Sequence, residues 1–197
     1  MKDEKKVLEL IKNNNGIVKT EELSKMNINT VSLTRLLRKG LIERVARGLY
    51  ISSNNIEDSY YIFQYKCPKS IFSHETALYF HDLSDRTPID LMATIPSGYN
   101  SRLLKDSNYK FSYIKEDLHE MGVIEMKTPY GNNIRVYDIE RTICDIIRDK
   151  NKIEKYQFTD ALKRYAKLKV KDISKLYKYA EKLNIKEEVK QYIEVLN

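Results

Sequence analysis

The sequence predicts an α+β protein: an N-terminal winged helix-turn-helix, then a mixed α/β domain that ends in a basic helical bundle. Three observations carry this. The first fifty residues read helix, strand, helix, turn, helix, hairpin, which is the winged order. Residues 54–150 mix short strand-like runs with helical periods. Residues 151–197 repeat apolar anchors at helical spacing between lysines.

The N-terminal elements follow from local signals. Lys2–Asn13 carries Val7, Leu8, Leu10 and Ile11 on one side, and Asn13-Asn14-Asn15-Gly16 stops it. Ile17-Val18-Lys19 is extended. Thr20 is placed to cap a second helix whose first turn holds Glu21 and Glu22. Met26-Asn27-Ile28-Asn29 forms a turn, and Thr30 is placed to cap a third helix over Val31–Lys39, which Gly40 ends. Leu41–Val45 and Leu49–Ile51 then read as strands joined around Ala46-Arg47-Gly48.

Ser52-Ser53-Asn54-Asn55 is a polar break that divides a domain over 1–53 from one over 54–197. Beyond it, Glu57–Tyr65 and Ser70–Phe80 read as helices. Ile89–Ile95, Tyr109–Ile114, Val123–Thr128 and Ile134–Tyr137 read as strands. Asp138–Arg148 returns to helix. Three helices near Tyr156–Leu168, Lys171–Leu183 and Lys186–Leu196 close the chain.

Charge narrows the partners. The chain of 197 residues carries a formal +7, but unevenly. Residues 1–52 hold 11 basic against 6 acidic side chains, 53–150 hold 12 against 15, and 151–197 hold 12 against 7. Two cationic ends flank an acidic middle, which suits a polyanion such as nucleic acid. No apolar run reaches the ~18–20 residues of a membrane helix. The charged start Met1-Lys2-Asp3-Glu4-Lys5-Lys6 is not a secretory leader. Cys67 and Cys144 fit no metal spacing, so a reduced, cytoplasmic protein without metal or cofactor is expected.

On a helical wheel, Leu33, Leu36, Leu37 and Gly40 share the inward side of the third helix. Val31, Thr34, Arg35, Arg38 and Lys39 take the outer side, with Ser32 at its margin. Short polar residues at the N-terminal end and arginines further along suit major-groove reading, and Val31 suits a thymine methyl. Arg44 and Arg47 bracket the hairpin bend, where they can meet phosphates or the minor groove. Lys19, Thr20 and Thr30, at the starts of the second and third helices, complete the candidate contacts. A weaker basic surface comes from Lys163, Arg164, Lys167, Lys171 and Lys175, each able to neutralise a phosphate.

Two enzymatic alternatives compete. Ser73-His74 and His81-Asp82 contain hydrolase residue types, but no Gly-x-Ser-x-Gly elbow accompanies them, and helical packing explains the segment. Asp90 with Glu125-Met126-Lys127 mimics the acid…acid-x-Lys set of Mg-dependent DNA nucleases, although alternating charged strands produce it by chance. An acidic middle domain that senses a ligand is a third reading.

Four stretches together resemble the AbiEi family, the antitoxins and repressors of type IV toxin–antitoxin, or abortive infection, systems. They are Gly40–Tyr50; Phe72–Tyr79 with Leu83–Pro88; Ile95–Tyr99; and Tyr137–Asp145. The resemblance implies a winged helix that binds inverted repeats in its operon's promoter, and a C-terminal domain that counters the toxin. It further implies a nucleotidyltransferase-like toxin with which no stable complex forms.

Overall fold

In the computed structural model, which describes residues 2–196, the chain forms two compact units of mixed helix and sheet. The α+β class is therefore as expected.

The first unit begins with α1 (Lys2–Asn13), β1 (Ile17–Lys19), α2 (Thr20–Lys25) and α3 (Val31–Arg38). The hairpin strands β2 (Ile42–Ala46) and β3 (Leu49–Ser52) follow, then α4 (Ser59–Lys66). The sheet order is β1-β3-β2, all antiparallel, with a bulge between Arg44 and Ala46. An eight-residue helix is marginal by itself. Burial of Leu33 and Leu36 against Val7, Ile11 and Leu23 holds α3, at roughly 1.5–3 kcal/mol per large side chain.

The polar break at Ser52–Asn55 does not end this unit. It runs to Lys66 and takes in 127–133. The reason is packing: Ile62 on α4 shares a buried cluster with Ile17, Leu49 and Ile51.

The second unit contains β4 (Ile71–Phe72), α5 (His74–Phe80), β5 (Leu91–Pro96), β6 (Tyr109–Ile114), α6 (Glu116–His119), β7 (Val123–Lys127) and β8 (Asn133–Tyr137). Then come α7 (Ile139–Arg148), α8 (Lys155–Lys167), α9 (Ile173–Lys182) and α10 (Lys186–Leu196). The strand order is β6-β5-β4-β8-β7, with β5–β6 and β4–β8 parallel and β4–β5 antiparallel. All six residues of β5 are buried, as a central strand covered on both faces requires. Asp138 caps α7 by accepting the Arg141 N–H at 2.8 Å. The helices α7–α10 share one apolar cluster, with Ile143, Ile146, Leu162, Leu176 and Val189 buried. The C-terminal helices are thus part of this unit's core.

One expected helix is different. Ser70–Phe80 opens as strand β4, because Ile71 and Phe72 pair with Thr94 and Ala93 of β5. The helix starts only at His74, whose φ of +49° breaks the chain direction. A short apolar run cannot choose between helix and strand by period alone, and the sheet decides here.

Candidate nucleic-acid interface

The surface of α3 is built by its two ends. At its start the Asn29 side chain accepts the Val31 N–H at 2.9 Å, so Asn29, not Thr30, satisfies the first turn. Thr30 has helical backbone angles and makes no side-chain cap bond. At its end, Gly40 lies at φ +66°, with bonds from Gly40 N–H to Leu37 O and Leu41 N–H to Leu36 O. This is the Schellman geometry that a left-handed glycine permits.

The exposed face of α3 carries Val31, Thr34, Arg35, Arg38 and Lys39. Ser32 does not belong to it. Its side chain is turned inward, the residue is 4 % exposed, and its hydroxyl donates to the Asn29 carbonyl at 2.6 Å. Lys39 is held by Glu4 at 2.5 Å, a contact that ties α3 to α1 and keeps the Glu4 carboxyl below the ordinary range. Arg35 and Arg38 have no ion-pair partner among the described residues, so both guanidinium groups are available to a ligand.

The hairpin tip is fixed from below. Gly48 has φ +77°, and a Cβ there would meet Thr20 Oγ1 at 2.7 Å. The Thr20 N–H and hydroxyl both bond the Gly48 carbonyl, at 2.9 and 3.3 Å. Thr20 is therefore the first residue of α2 rather than its cap, and Glu22 accepts the Lys19 N–H at 2.7 Å instead. Arg44 Nε bonds the Ala46 carbonyl at 3.3 Å, whereas Arg47 is exposed at the tip.

Lys19 points toward α4 rather than outward. Its ammonium lies 5.3 and 5.9 Å from the ring centroids of Tyr61 and Tyr65. Burial works against that charge, but Tyr61, Glu22 and Tyr65 outweigh it and raise its pKa above the ordinary lysine value. These two tyrosines are functional candidates that the sequence reading passed over. Their i, i+4 spacing puts them on one helix face, which was the available signal.

The five basic residues on α8, on α9 and between them are divided. Lys163 and Lys167 are exposed, with no ion-pair partner among the described residues. Arg164 is held by Asp160 at 2.7 Å and also pairs with Asp85. Lys175 is held by Glu140 at 2.7 Å and Asp138 at 3.4 Å, whose carboxylates overcome its desolvation and raise its pKa. Lys171 donates to the Ala166 carbonyl. Two of the five cations are thus free for phosphates.

The enzymatic alternatives fail on geometry. Asp90 just precedes β5 and is paired with Lys110 at 2.9 Å. Glu125 is on β7, with β4 and β8 between. At ~4.8 Å per strand this is roughly 14 Å, too far for two carboxylates and Lys127 to share one Mg²⁺. No cluster of three or more His, Cys, Asp or Glu among the described residues is arranged to hold a metal.

Ser73, His74 and Asp149 do form a hydrogen-bonded row. Ser73 Oγ is 2.9 Å from His74 Nδ1, and His74 Nε2 is 3.0 Å from Asp149 Oδ2. Ser73 and His74 are fully buried, and the Thr94 hydroxyl donates to Ser73 Oγ at 2.9 Å. No substrate can reach that serine. The row instead pins a histidine in a left-handed conformation that costs ~1–2 kcal/mol. His81 is also structural: its Nε2–H donates to the Tyr137 carbonyl at 2.7 Å, and burial lowers its pKa.

Residues 5–52 match the family model described as "Transcriptional regulator, AbiEi antitoxin". The resemblance read from the sequence is borne out over that segment. No curated protein matches the chain. Among solved structures, the RV2827C protein of Mycobacterium tuberculosis is similar over 100% of this chain and 78% of that one, with TM-score 0.68 and 10% identity. At that identity the likeness is one of fold. Among the described residues, no helix is long and apolar enough to cross a membrane.

Proposed function

We propose that this chain is a sequence-specific DNA-binding repressor that autoregulates its operon and acts as the antitoxin of a type IV toxin–antitoxin system. The family match of residues 5–52 supplies the regulator and antitoxin class. The observation that carries the DNA-binding part is the exposed face of α3, with Val31, Thr34, Arg35 and Arg38 turned outward and both arginines uncommitted. In this reading α3 is the recognition helix and the β2–β3 hairpin is the wing, with Arg47 at its tip. The winged domain binds inverted repeats in the promoter. The second unit, cytoplasmic like the rest, counters a nucleotidyltransferase-like toxin without a stable complex.

Gel shifts on the gene's own upstream duplex, with and without Mg²⁺, test the DNA-binding half. A retarded and uncut duplex is expected in both. Arg35→Ala and Arg38→Ala should each weaken binding by ~1–3 kcal/mol, and a bidentate guanine contact would be lost as relaxed specificity at one base. Unchanged binding by both variants removes α3 from the recognition role. Co-expression with the neighbouring gene's product tests the antitoxin half, and growth without rescue would count against it.

The basic surface of α8 gives a second measurement. Of its named cations, only Lys163 and Lys167 lack an ion-pair or hydrogen-bond partner among the described residues, so reversing both should remove at most two phosphate contacts. The slope of log K against log salt should then flatten by up to about 1.8, because each contact contributes ~0.9. An unchanged slope in a folded variant would assign those lysines to solvent alone.

A further inference from the structure

We infer that Tyr65, on α4 and outside the family-matched segment, is a positioning residue for the wing; the inference rests on the DNA-binding reading above. The Tyr65 hydroxyl donates to the Arg47 carbonyl at 3.2 Å. That carbonyl belongs to the residue whose side chain sits at the wing tip. On the next peptide, the Gly48 carbonyl is taken by Thr20, from both its N–H and its hydroxyl. Two consecutive carbonyls of the turn are therefore tied down, one by α4 and one by α2. Arg47 and Gly48 lie beyond the last sheet pair, Ala46 with Leu49, so these ties, not the strand ladder, hold the direction of the tip.

The same tyrosine ring closes a second contact. The Lys19 ammonium rests over Tyr61 and Tyr65, at the point where β1 passes into α2. Lys19 pairs in register with Leu49, the first residue of β3, so it flanks the wing from the other side. Helix α4 is itself fixed, with Ile62 in the cluster of Ile17, Leu49 and Ile51. Tyr65 thus links a packed helix to the exposed turn of the wing. The gain for binding is preorganisation: Arg47 is presented in one place, and less order is lost when it meets DNA.

Tyr65→Phe keeps the ring and the Lys19 contact and deletes only the bond to Arg47. Three measurements on the full-length chain test the role. Amide exchange of Thr20, whose N–H bonds the Gly48 carbonyl, should quicken in the variant while the thermal midpoint stays near that of the wild type. Affinity for the upstream duplex should fall about 2–10-fold, the range of one net hydrogen bond. In an Arg47→Ala background the Tyr65→Phe loss should vanish, because the tyrosine acts through Arg47.

Equal affinity of wild type and Tyr65→Phe for the duplex overturns the positioning role and leaves DNA binding standing. An undiminished loss in the Arg47→Ala background also overturns it, since Tyr65 would then act by another route. A wild-type chain that binds no upstream duplex overturns the DNA-binding reading itself, and reduces Tyr65 to a brace visible only in the Thr20 exchange.

Discussion

Arg141→Met should destabilise the second unit by about 3–5 kcal/mol, the cost of leaving one partner of a buried ion pair uncompensated. Arg141 is fully buried on α7. Its Nε lies 3.2 Å from both oxygens of Asp145, which is also fully buried. Its Nη1 donates at 2.9 Å to the carbonyls of Leu118 and Met121. The guanidinium sits 4.2 Å from the Tyr137 ring centroid. Methionine fills much of the volume but deletes every polar bond, so the Leu118 and Met121 carbonyls and the Asp145 carboxylate each lose a donor in a low-dielectric core.

The partner change separates charge from shape. Arg148 also reaches Asp145, at 3.1 Å, but it has Asp149 at 3.0 Å as a second partner. Asp145→Leu combined with Arg141→Met should therefore recover part of the loss, because the buried carboxylate has gone and Arg148 remains paired. Urea unfolding of the two single variants and the double variant measures this. A single Arg141→Met variant within ~1 kcal/mol of the wild type would show that Arg148 alone satisfies Asp145.

Much of the first unit was legible because its signals are local. Asn13–Gly16 and Gly40 stop helices where backbone angles must turn left-handed. The Leu33, Leu36 and Leu37 stripe fixes which way α3 faces, and Arg47-Gly48 marks the hairpin tip. The errors there are small and have local causes. Thr20 is one residue past the cap position, which Lys19 holds, and Thr30 sits at the cap of α3 but makes no side-chain bond there; Glu22 and Asn29 accept the nearby N–H groups instead. Ser32 lay at the edge of the wheel, where a hydroxyl that can bond a backbone carbonyl turns inward rather than outward.

What sequence could not give is what distant residues decide. His74 and Asp149 are 75 positions apart, and no spacing rule pairs them. The same holds for Arg164 with Asp85, 79 apart, which takes a cation out of the expected phosphate surface. The nuclease set failed because Asp90 lies just before β5 and Glu125 on β7, and strand order, a non-local property, puts two strands between them. The domain break at Ser52–Asn55 had the right composition. It was overruled because α4 carries Ile62, whose burial requires the sheet of the first unit.

That continuation of the first unit leads to the second large expected effect, at Asp58. It is 2 % exposed and accepts three bonds. One oxygen takes the Thr128 hydroxyl at 2.6 Å and the Asn132 amide at 2.7 Å, and the other takes the Tyr61 N–H at 3.1 Å, at the start of α4. Asp58→Ala strands two buried donors, on Thr128 and Asn132, and the half-buried Tyr61 N–H. Each unsatisfied one costs ~1–3 kcal/mol, and some relaxation is expected, so a loss of about 2–4 kcal/mol follows. Asp58→Asn should fall between: its carbonyl can serve Thr128 and Asn132, but its amide then faces the Tyr61 N–H, donor against donor. Because α4 carries Tyr61 and Tyr65, the alanine variant should also quicken exchange at the Thr20 amide. Thermal unfolding gives the ranking. If alanine is no worse than asparagine, the donors around Asp58 find other acceptors, and the start of α4 is held by apolar packing alone.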